Sequence, residues 1–542
     1  MMKYFYKKRR LCVIGIMAMV YNSFSVLFAF LLMNVTDSVI EANVSKFCKY
    51  AIYSVACVLI QIALYLFQNK YINNYVAYCM KNLKENLLNG ICRFSYQYFA
   101  KSPVEAYQSF FLNDLKLFEK QYYRQIIDML SSISLLIIAT VGVCFVKPIF
   151  LLIVMLIFVI SALIPFTFKR KILKANQIYT NNAENYLSSL SEILQGFSII
   201  KNYNISKPFV EKIALKTELA EYSYADLETK IMRVNAFMAF IGQVLILMSF
   251  AIGGYLSVLG RITTGSIVAL SQLLTYTIEP ISVIIGTITS INSVDNIKQN
   301  CEQILKYTEN TDSNQLLHIP KKISMKNLCF TYDKNNKIIN NASITFESPY
   351  KYAIIGKNGV GKSTILQLIA GMLGEYVGDI FIDDVNIKKV SEKEYNNYIA
   401  YLSQSSFVFS MSLEENIKMF RDDYRQEQIE HLINKFELNK ISEGSISSDS
   451  ISGGEKAKIT MIRTLAKKTP IILMDEPTAA MDEDSKKVFD EIISDIKGKL
   501  VIVITHRLDE SLKKFDKYVI VQKQQLYMTS DLNEAIGLVK KE

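Results

Sequence analysis

Histidine is nearly missing from this 542-residue chain, with three in all, which leaves little room for a histidine metal cluster. Any histidine inside a motif is therefore informative. The eight cysteines show no Cys-x-x-Cys spacing, and Cys12, Cys57 and Cys144 lie inside apolar runs. Neither a disulfide framework nor a zinc site is indicated. Charged residues are scarce at 21%, while half of the chain is apolar and 11% is aromatic, which is rich for a soluble protein. The net charge of +10 is compatible with a nucleic-acid partner, but the basic residues cluster beside apolar spans. That placement follows the positive-inside pattern of membrane proteins, so no nucleic-acid partner is expected.

A signal-peptide cleavage site is also missing. Lys7-Lys8-Arg9-Arg10 precede an apolar stretch from Leu11 to Met33, and Leu32-Met33-Asn34-Val35 offers no small-residue cleavage pattern. The stretch is longer than the roughly 7–15 residue apolar core of a signal peptide. It reads as a first membrane span with a cytosolic N-terminus. Further spans are expected at about 51–68, 126–146, 149–168, 235–259 and 266–290, six in all. Lys147-Pro148 make the turn between the third and fourth. Loop charges agree with this orientation. The second-to-third and fourth-to-fifth connections carry many Lys and Arg, whereas the external loops hold only Lys46, Lys49, Lys147 and Arg261.

The two cytosolic connections, 71–124 and 170–233, have apolar residues recurring every three or four positions, which predicts helical extensions of the spans. Breaks fall at Lys101-Ser102-Pro103 and Gln195-Gly196-Phe197, leaving a short helix across each tip. Glu279, just before Pro280, is the clearest ionisable residue within a predicted span. It is expected either to line a transport pathway favouring cationic or peptide-like cargo, or to be a polar kink residue that faces water. Asn22, Gln61 and Gln243 are weaker candidates, because uncharged polar groups commonly bond between helices. The membrane part is expected over 1–305, a linker over 306–322, and an α/β domain over 323–542.

The second part is organised around Gly356-Lys357-Asn358-Gly359-Val360-Gly361-Lys362-Ser363, followed by Thr364. A β-prone run, Tyr352–Ile355, precedes it, and an apolar helix follows. Such a glycine-rich turn aims backbone N–H groups at one concavity, and the helix N-terminus adds its positive dipole end. Lys362 can reach outer phosphates, and the Ser363 hydroxyl can ligate magnesium. Upstream, Tyr332 suits stacking on an adenine ring, or is simply strand surface. Ile471–Met474 is a buried-type strand ending in Asp475 and Glu476. These acids are placed to hold magnesium and to polarise an attacking water, respectively. A further strand, Ile502–Thr505, carries His506 at its tip, where it can contact the terminal phosphate or the water. Ser452-Gly453-Gly454-Glu455 opens another helix, either as a second phosphate-competent end or as a plain N-cap.

In this order, Tyr332, the Gly356–Ser363 loop, Gln404, Ser452–Glu455, Asp475-Glu476, Asp482 and His506 resemble the ATP-binding cassette family. The whole chain is similar to an exporter-type half-transporter: six transmembrane helices with long cytosolic extensions, fused to an α/β P-loop ATPase domain. The resemblance implies ATP and magnesium as cofactors, with Ser363, Gln404 and Asp475 at the metal and Glu476 and His506 as catalytic groups. It implies that Ser452 and Gly454 contact the terminal phosphate held by a second subunit, and that Asp482 communicates between the two sites. Phe407–Ser410 would form a socket for coupling helices, which resemble Phe99–Asp114 and Glu192–Lys201. The chain departs from the family pattern at Ile451 and Glu455, where Leu and Gln are usual, and in the short, Ser-rich segment 441–450.

The function implied is ATP-driven export of a peptide, drug-like or lipid-like cargo by a dimer, with self-pairing permitted because both half-sites look intact. An ATP-gated channel or regulator of the same architecture is the alternative, disfavoured by the complete hydrolytic set. The chain starts at its first span, so no leader-processing peptidase domain is expected. Its Lys-, Asn- and Ile-rich composition suggests an AT-rich bacterial genome, which favours peptide or drug export over organelle roles. The spans and loop charges imply a multi-pass location in the cytoplasmic membrane with both termini cytosolic.

Overall fold

The computed structural model describes residues 6–307, 318–332, 337–421, 424–441, 444, 446–447 and 450–540. Most of the expected linker (308–317) and half of the Ser-rich segment (442–443, 445, 448–449) lie outside the described residues. The chain divides into two compact units, one holding residues 1–89 and 104–305, the other 90–103 and 306–542.

The first unit is helical. Its long helices are α1 (Lys8–Ile40), α2 (Val44–Ile91), α3 (Gln125–Val146), α4 (Leu151–Gln195), α5 (Ser206–Val258) and α6 (Thr264–Ser293). Five helices among the described residues are long and apolar enough to cross a membrane: α1, α2, the continuous run Val104–Val146 that ends in α3, α5 and α6. The expected fourth span falls on α4, several of whose side chains between 157 and 169 lie outside the described residues. Exposed Ile52, Val55, Leu59, Ile62 and Leu66 give α2 an apolar surface suited to lipid. Val26, Ala29, Ala139, Val143, Leu270 and Leu273 pack α1, α3 and α6 together.

Polar groups tie α1 to α3 and to α2. Buried Asn22 donates to the Ser131 carbonyl at 3.0 Å, and Gln61 donates to Ser25 Oγ at 3.1 Å. Both bond between helices, as uncharged polar groups in spans commonly do. The turn from α5 into α6 is built locally. Gly260 takes a left-handed φ of 70°, Arg261 N–H returns to the Leu256 carbonyl and Gly260 N–H to that of Ser257, a Schellman cap. Thr263 then caps α6 by accepting from Ser266 N–H.

The second unit is a layered α/β domain. A six-stranded sheet runs in the order β10-β9-β3-β8-β7-β6, where β3 is Lys351–Ile355, β6 Ile399–Leu402, β7 Ile471–Asp475, β8 Leu500–Ile504, β9 Lys517–Gln522 and β10 Gln525–Thr529. All neighbours pair in parallel except β9 and β10. A smaller antiparallel sheet, β2-β1-β4-β5, is made of β1 (Lys322–Thr331), β2 (Lys337–Glu347), β4 (Val377–Ile382) and β5 (Val385–Asn386).

The parallel strands read as unbroken apolar runs because both of their faces are covered. Along β8, Leu500, Ile502 and Ile504 join one core, while Val501 and Val503 join the other. The same alternation sorts Ile471 and Leu473 from Ile472 and Met474 on β7. The core with Leu500, Ile502 and Ile504 packs the face carrying α7 (Lys362–Ile369); the core with Val501 and Val503 packs the face carrying α8 (Gly453–Ala466) and α9 (Glu483–Asp495).

Residues 90–103, expected with the membrane part, instead group with the nucleotide-loop unit. A short helix, Tyr96–Phe99, capped by Ser95, forms the tip. Its anchor is aromatic: the Phe94, Tyr98 and Tyr307 rings meet at centroid distances of 4.5–4.9 Å, and Ser95 N–H donates to Tyr307 Oη at 3.2 Å. Tyr96 N–H reaches Glu392 Oε1 at 3.3 Å, and the Gln97 side chain fills the space that a Cβ on Gly374 would need. The expected socket residues Phe407 and Phe409 stack edge-on against each other and stay exposed.

Candidate functional site

Sheet register builds the site. Ile354 of β3 pairs with Ile504 of β8, Ile504 with Asp475 of β7, and Met474 with Leu402 of β6. Four parallel strands therefore end level, and the residues just beyond their carboxyl ends converge, the usual place for a ligand in such sheets. β3 delivers the Gly356–Gly361 loop, β8 delivers His506, β7 delivers Asp475 and Glu476, and β6 delivers Gln404.

A cavity of about 400 Å³ opens there, lined by Tyr332, Ile338, Asn358, Gly359, Gly361, Lys362, Ser363, Thr364, Gln404, Glu476 and His506. All but one of these are sequence candidates. Ile338 is the addition, on β2, where its methyl lies 2.6 Å from a Cβ built on Gly361. No motif marks it, because only the pairing of β1 with β2 brings it in. Gly361 itself has φ of 99°, so a side chain there is barred by conformation and by space.

Lys362 begins α7 and is only 5% exposed. Its ammonium turns back into the loop, donating to the Gly356 and Lys357 carbonyls at 2.8 and 2.7 Å. Burial pushes its pKa down, and the Glu476 and Asp475 charges oppose that shift. A buried cation held by carbonyls beside backbone N–H groups fits a phosphate chain.

Ser363 Oγ donates to Asp475 Oδ1 at 3.1 Å. Two hard oxygens at that separation match neighbouring ligands of one octahedral magnesium, which at 2.0–2.1 Å bond lengths stand about 3 Å apart. Asp475 is 2% exposed, and burial pushes its carboxyl above the usual range. Among the described residues no cluster of three His, Cys, Asp or Glu side chains could hold a metal, so a magnesium site here needs Ser, amide and phosphate oxygens.

Glu476 adopts a left-handed φ of 48°, an uncommon conformation for a residue with a side chain. It places the carboxylate between two strands' tips. His506 Nε2 lies 2.8 Å from Oε1, and Gln404 Nε2 donates to Oε2 at 3.2 Å. Tyr332 is 58% exposed, its ring edge-on to Phe330 and its hydroxyl 3.2 Å from Thr364 Oγ1, leaving a face free to stack on a base.

Ser452, Gly453, Gly454, Glu455 and Asp482 do not line this cavity. They form a separate group. Ser452 and Glu455 make a capping box at the start of α8: Ser452 Oγ accepts from Glu455 N–H, and Glu455 Oε2 accepts from Ser452 N–H at 2.7 Å. Those bonds hold the Glu455 carboxyl below its usual range. Asp482 caps α9 by accepting from Ser485 N–H and lies 3.6 Å from Lys458 Nζ on α8; the Ser485 hydroxyl first and its N–H second hold the Asp482 carboxyl below its usual range.

Glu279 sits exposed on α6 with Pro280 buried beside it.

Two family profiles match the chain: the ABC transporter transmembrane region over residues 11–281, and ABC transporter over residues 339–479. The chain is 29% identical over 370 residues to the mitochondrial iron-sulfur clusters transporter ATM1 of Debaryomyces hansenii, a match covering 64% of this chain and 53% of that protein. It is 25% identical over 343 residues to the microcin-J25 export ATP-binding/permease protein McjD of Escherichia coli, covering 60% of this chain and 58% of the relative. The matches thus span little more than half the length of these relatives. In three dimensions, a bacterial Atm1-family ABC exporter solved with ATP bound superposes with a TM-score of 0.83 at 17% identity, covering 99% of this chain and 96% of that one. That likeness is one of fold.

Proposed function

This chain belongs to the ABC transporter family, and from that premise we propose that two copies bind and hydrolyse ATP to drive export of a peptide, drug-like or lipid-like cargo across the cytoplasmic membrane, with both termini cytosolic. The observation that carries the reading is the division of its nucleotide motifs into two groups. Lys362, Ser363, Asp475, Glu476, Gln404 and His506 converge around one cavity, while Ser452–Glu455 cap a different helix outside it. Two copies facing each other supply one group from each side of every ATP.

In that arrangement Lys362 and the loop N–H groups hold the phosphates, and Tyr332 stacks on the adenine. Ser363, Asp475 and Gln404 would hold magnesium, which neutralises phosphate charge when bound. Glu476 polarises the attacking water and takes its proton, and His506 and Gln404 hold the carboxylate at the angle this needs. ATP must bind the closed dimer more tightly than the open one, since equal affinity shifts nothing. The clasp of Tyr96–Phe99 on Glu392 and Gly374 carries nucleotide-driven movement toward α2 and the membrane helices. Glu279 lines the transport pathway.

Inverted vesicles containing the purified chain test this. ATP-dependent uphill accumulation of a stimulating cargo, absent in Glu476→Gln, is expected. Downhill flux that continues in Glu476→Gln would mean a channel.

A further inference from the structure

The membrane unit holds a second cavity, of about 460 Å³, lined by Gln125, Asp128, Ser131 and Ser132 from α3 and Val283, Gly286 and Ser290 from α6. We propose that it binds an organic cation carrying N–H donors, an alkylammonium or guanidinium group, with Asp128 as counter-ion. This deepens the transport reading by naming a cargo class, and it rests on the membrane unit being a transport pathway.

Charge sets the sign of the ligand. Asp128 lies within the third predicted span, where an ionisable group faces water or a partner because lipid contact is costly. No ion pair to Asp128 is found among the described residues. The nearest base, Arg124, is engaged elsewhere: its guanidinium bonds Glu119 at 3.0 Å and Asn73 at 2.9 Å. The described lining contains no Lys or Arg, and Arg124, whose charge acts on Asp128 from outside it, is already paired with Glu119, so an anion would meet the carboxylate first.

Hydrogen bonding narrows the class. The carboxylate, three serine hydroxyls and the Gln125 amide offer several acceptors around one volume. Ammonium and guanidinium groups present several donors to such a lining. A quaternary ammonium has none and is recognised by aromatic faces, and the described lining includes no aromatic ring. The volume is in the range of sites for drug-sized molecules.

Space and continuity complete the case. A Cβ built on Gly286 meets nothing within 4 Å, so the cavity opens directly onto the α6 backbone. Glu279, Val283, Gly286 and Ser290 recur at four- and three-residue steps and share one face of α6. Glu279 lies seven residues from Gly286, about 10 Å along the helix. A cation would thus meet Asp128 on α3 and, about two turns along the facing side of α6, Glu279.

The test is binding of benzylguanidine to the purified full chain in lipid nanodiscs without nucleotide, with benzyl alcohol and benzyltrimethylammonium as controls. Benzylguanidine should bind best, and Asp128→Asn should weaken it about tenfold or more, with Asp128→Glu recovering most of the loss. Gly286→Leu, whose side chain enters open space on a helix, should weaken it independently if Asp128→Asn folds poorly. Equal binding in both variants, or equally tight binding of either control, overturns the proposal. Because binding is read without ATP, a chain that binds benzylguanidine but accumulates no cargo fails the transport reading alone. A chain that pumps a neutral cargo and ignores benzylguanidine fails this proposal alone.

Discussion

His506 Nε2 stands 2.8 Å from Glu476 Oε1, across the tips of adjacent parallel strands β8 and β7. The two side chains are thirty positions apart in the chain, and Glu476 reaches the contact from a left-handed backbone. The pair predicts two different losses. Glu476→Gln keeps the shape and the bond to Gln404 but removes the base. ATP binding and nucleotide-driven dimerisation should persist while phosphate release falls by roughly 10²–10⁴. His506→Ala leaves the base unsupported and should lower turnover without lowering ATP affinity equally. Full turnover in Glu476→Gln would overturn the catalytic assignment.

Asp475 predicts a pH dependence. Burial raises its carboxyl pKa, so on acidification it takes up a proton at a higher pH than an ordinary carboxylate. Only the ionised form suits a magnesium ion. Magnesium-dependent ATP affinity should therefore fall on acidification sooner than nucleotide affinity measured without the metal. Titrations with and without magnesium at stepped pH would check this, and in Asp475→Asn the difference should flatten.

Tyr332 should act through its ring rather than its hydroxyl. Tyr332→Phe loses the bond to Thr364 but keeps the exposed face. Tyr332→Ala removes the face, worth about 1–3 kcal/mol for a stacked base. Fluorescent ATP binding should rank the parent and Phe together, with Ala weaker by about 5- to 150-fold.

The capping box separates folding from catalysis at Ser452. Ser452→Ala should cost about 1 kcal/mol in a melt of the nucleotide-free protein and also depress ATPase activity. Glu455→Gln restores the residue usual in the family and keeps a side chain able to close the box. Its stability should stay within about 0.5 kcal/mol of the parent. A large destabilisation by Glu455→Gln would show that the charge, not the bond pattern, supports α8.

Gly374→Leu tests the clasp, since any side chain there displaces Gln97. ATPase activity should survive while cargo no longer stimulates it. Retained cargo stimulation would mean that Gln97 does not transmit the movement.

Much of the protein is local in sequence and was legible there. Long apolar runs with basic flanks mark membrane helices because run length and composition are enough to place a segment in lipid. The phosphate loop is contiguous, so Gly361, Lys362 and Ser363 carry their geometry in their order. The alternating cores of β7 and β8 follow from unbroken apolar runs. Other features needed the folded chain. Glu455 reads as a simple exchange for Gln, and only the helix start shows its carboxylate accepting the Ser452 N–H. Ile338 reaches the nucleotide cavity through strand pairing, and Gly90–Pro103 joins the nucleotide unit through Tyr307, more than two hundred residues away. Asp128 meets Gly286 in one cavity because α3 and α6 pack together. Contacts between distant segments depend on strand order and helix neighbours, which hydrophobic period and short motifs do not encode. The chain's own residue order thus determined what each segment can do, and tertiary packing decided which segments do it together.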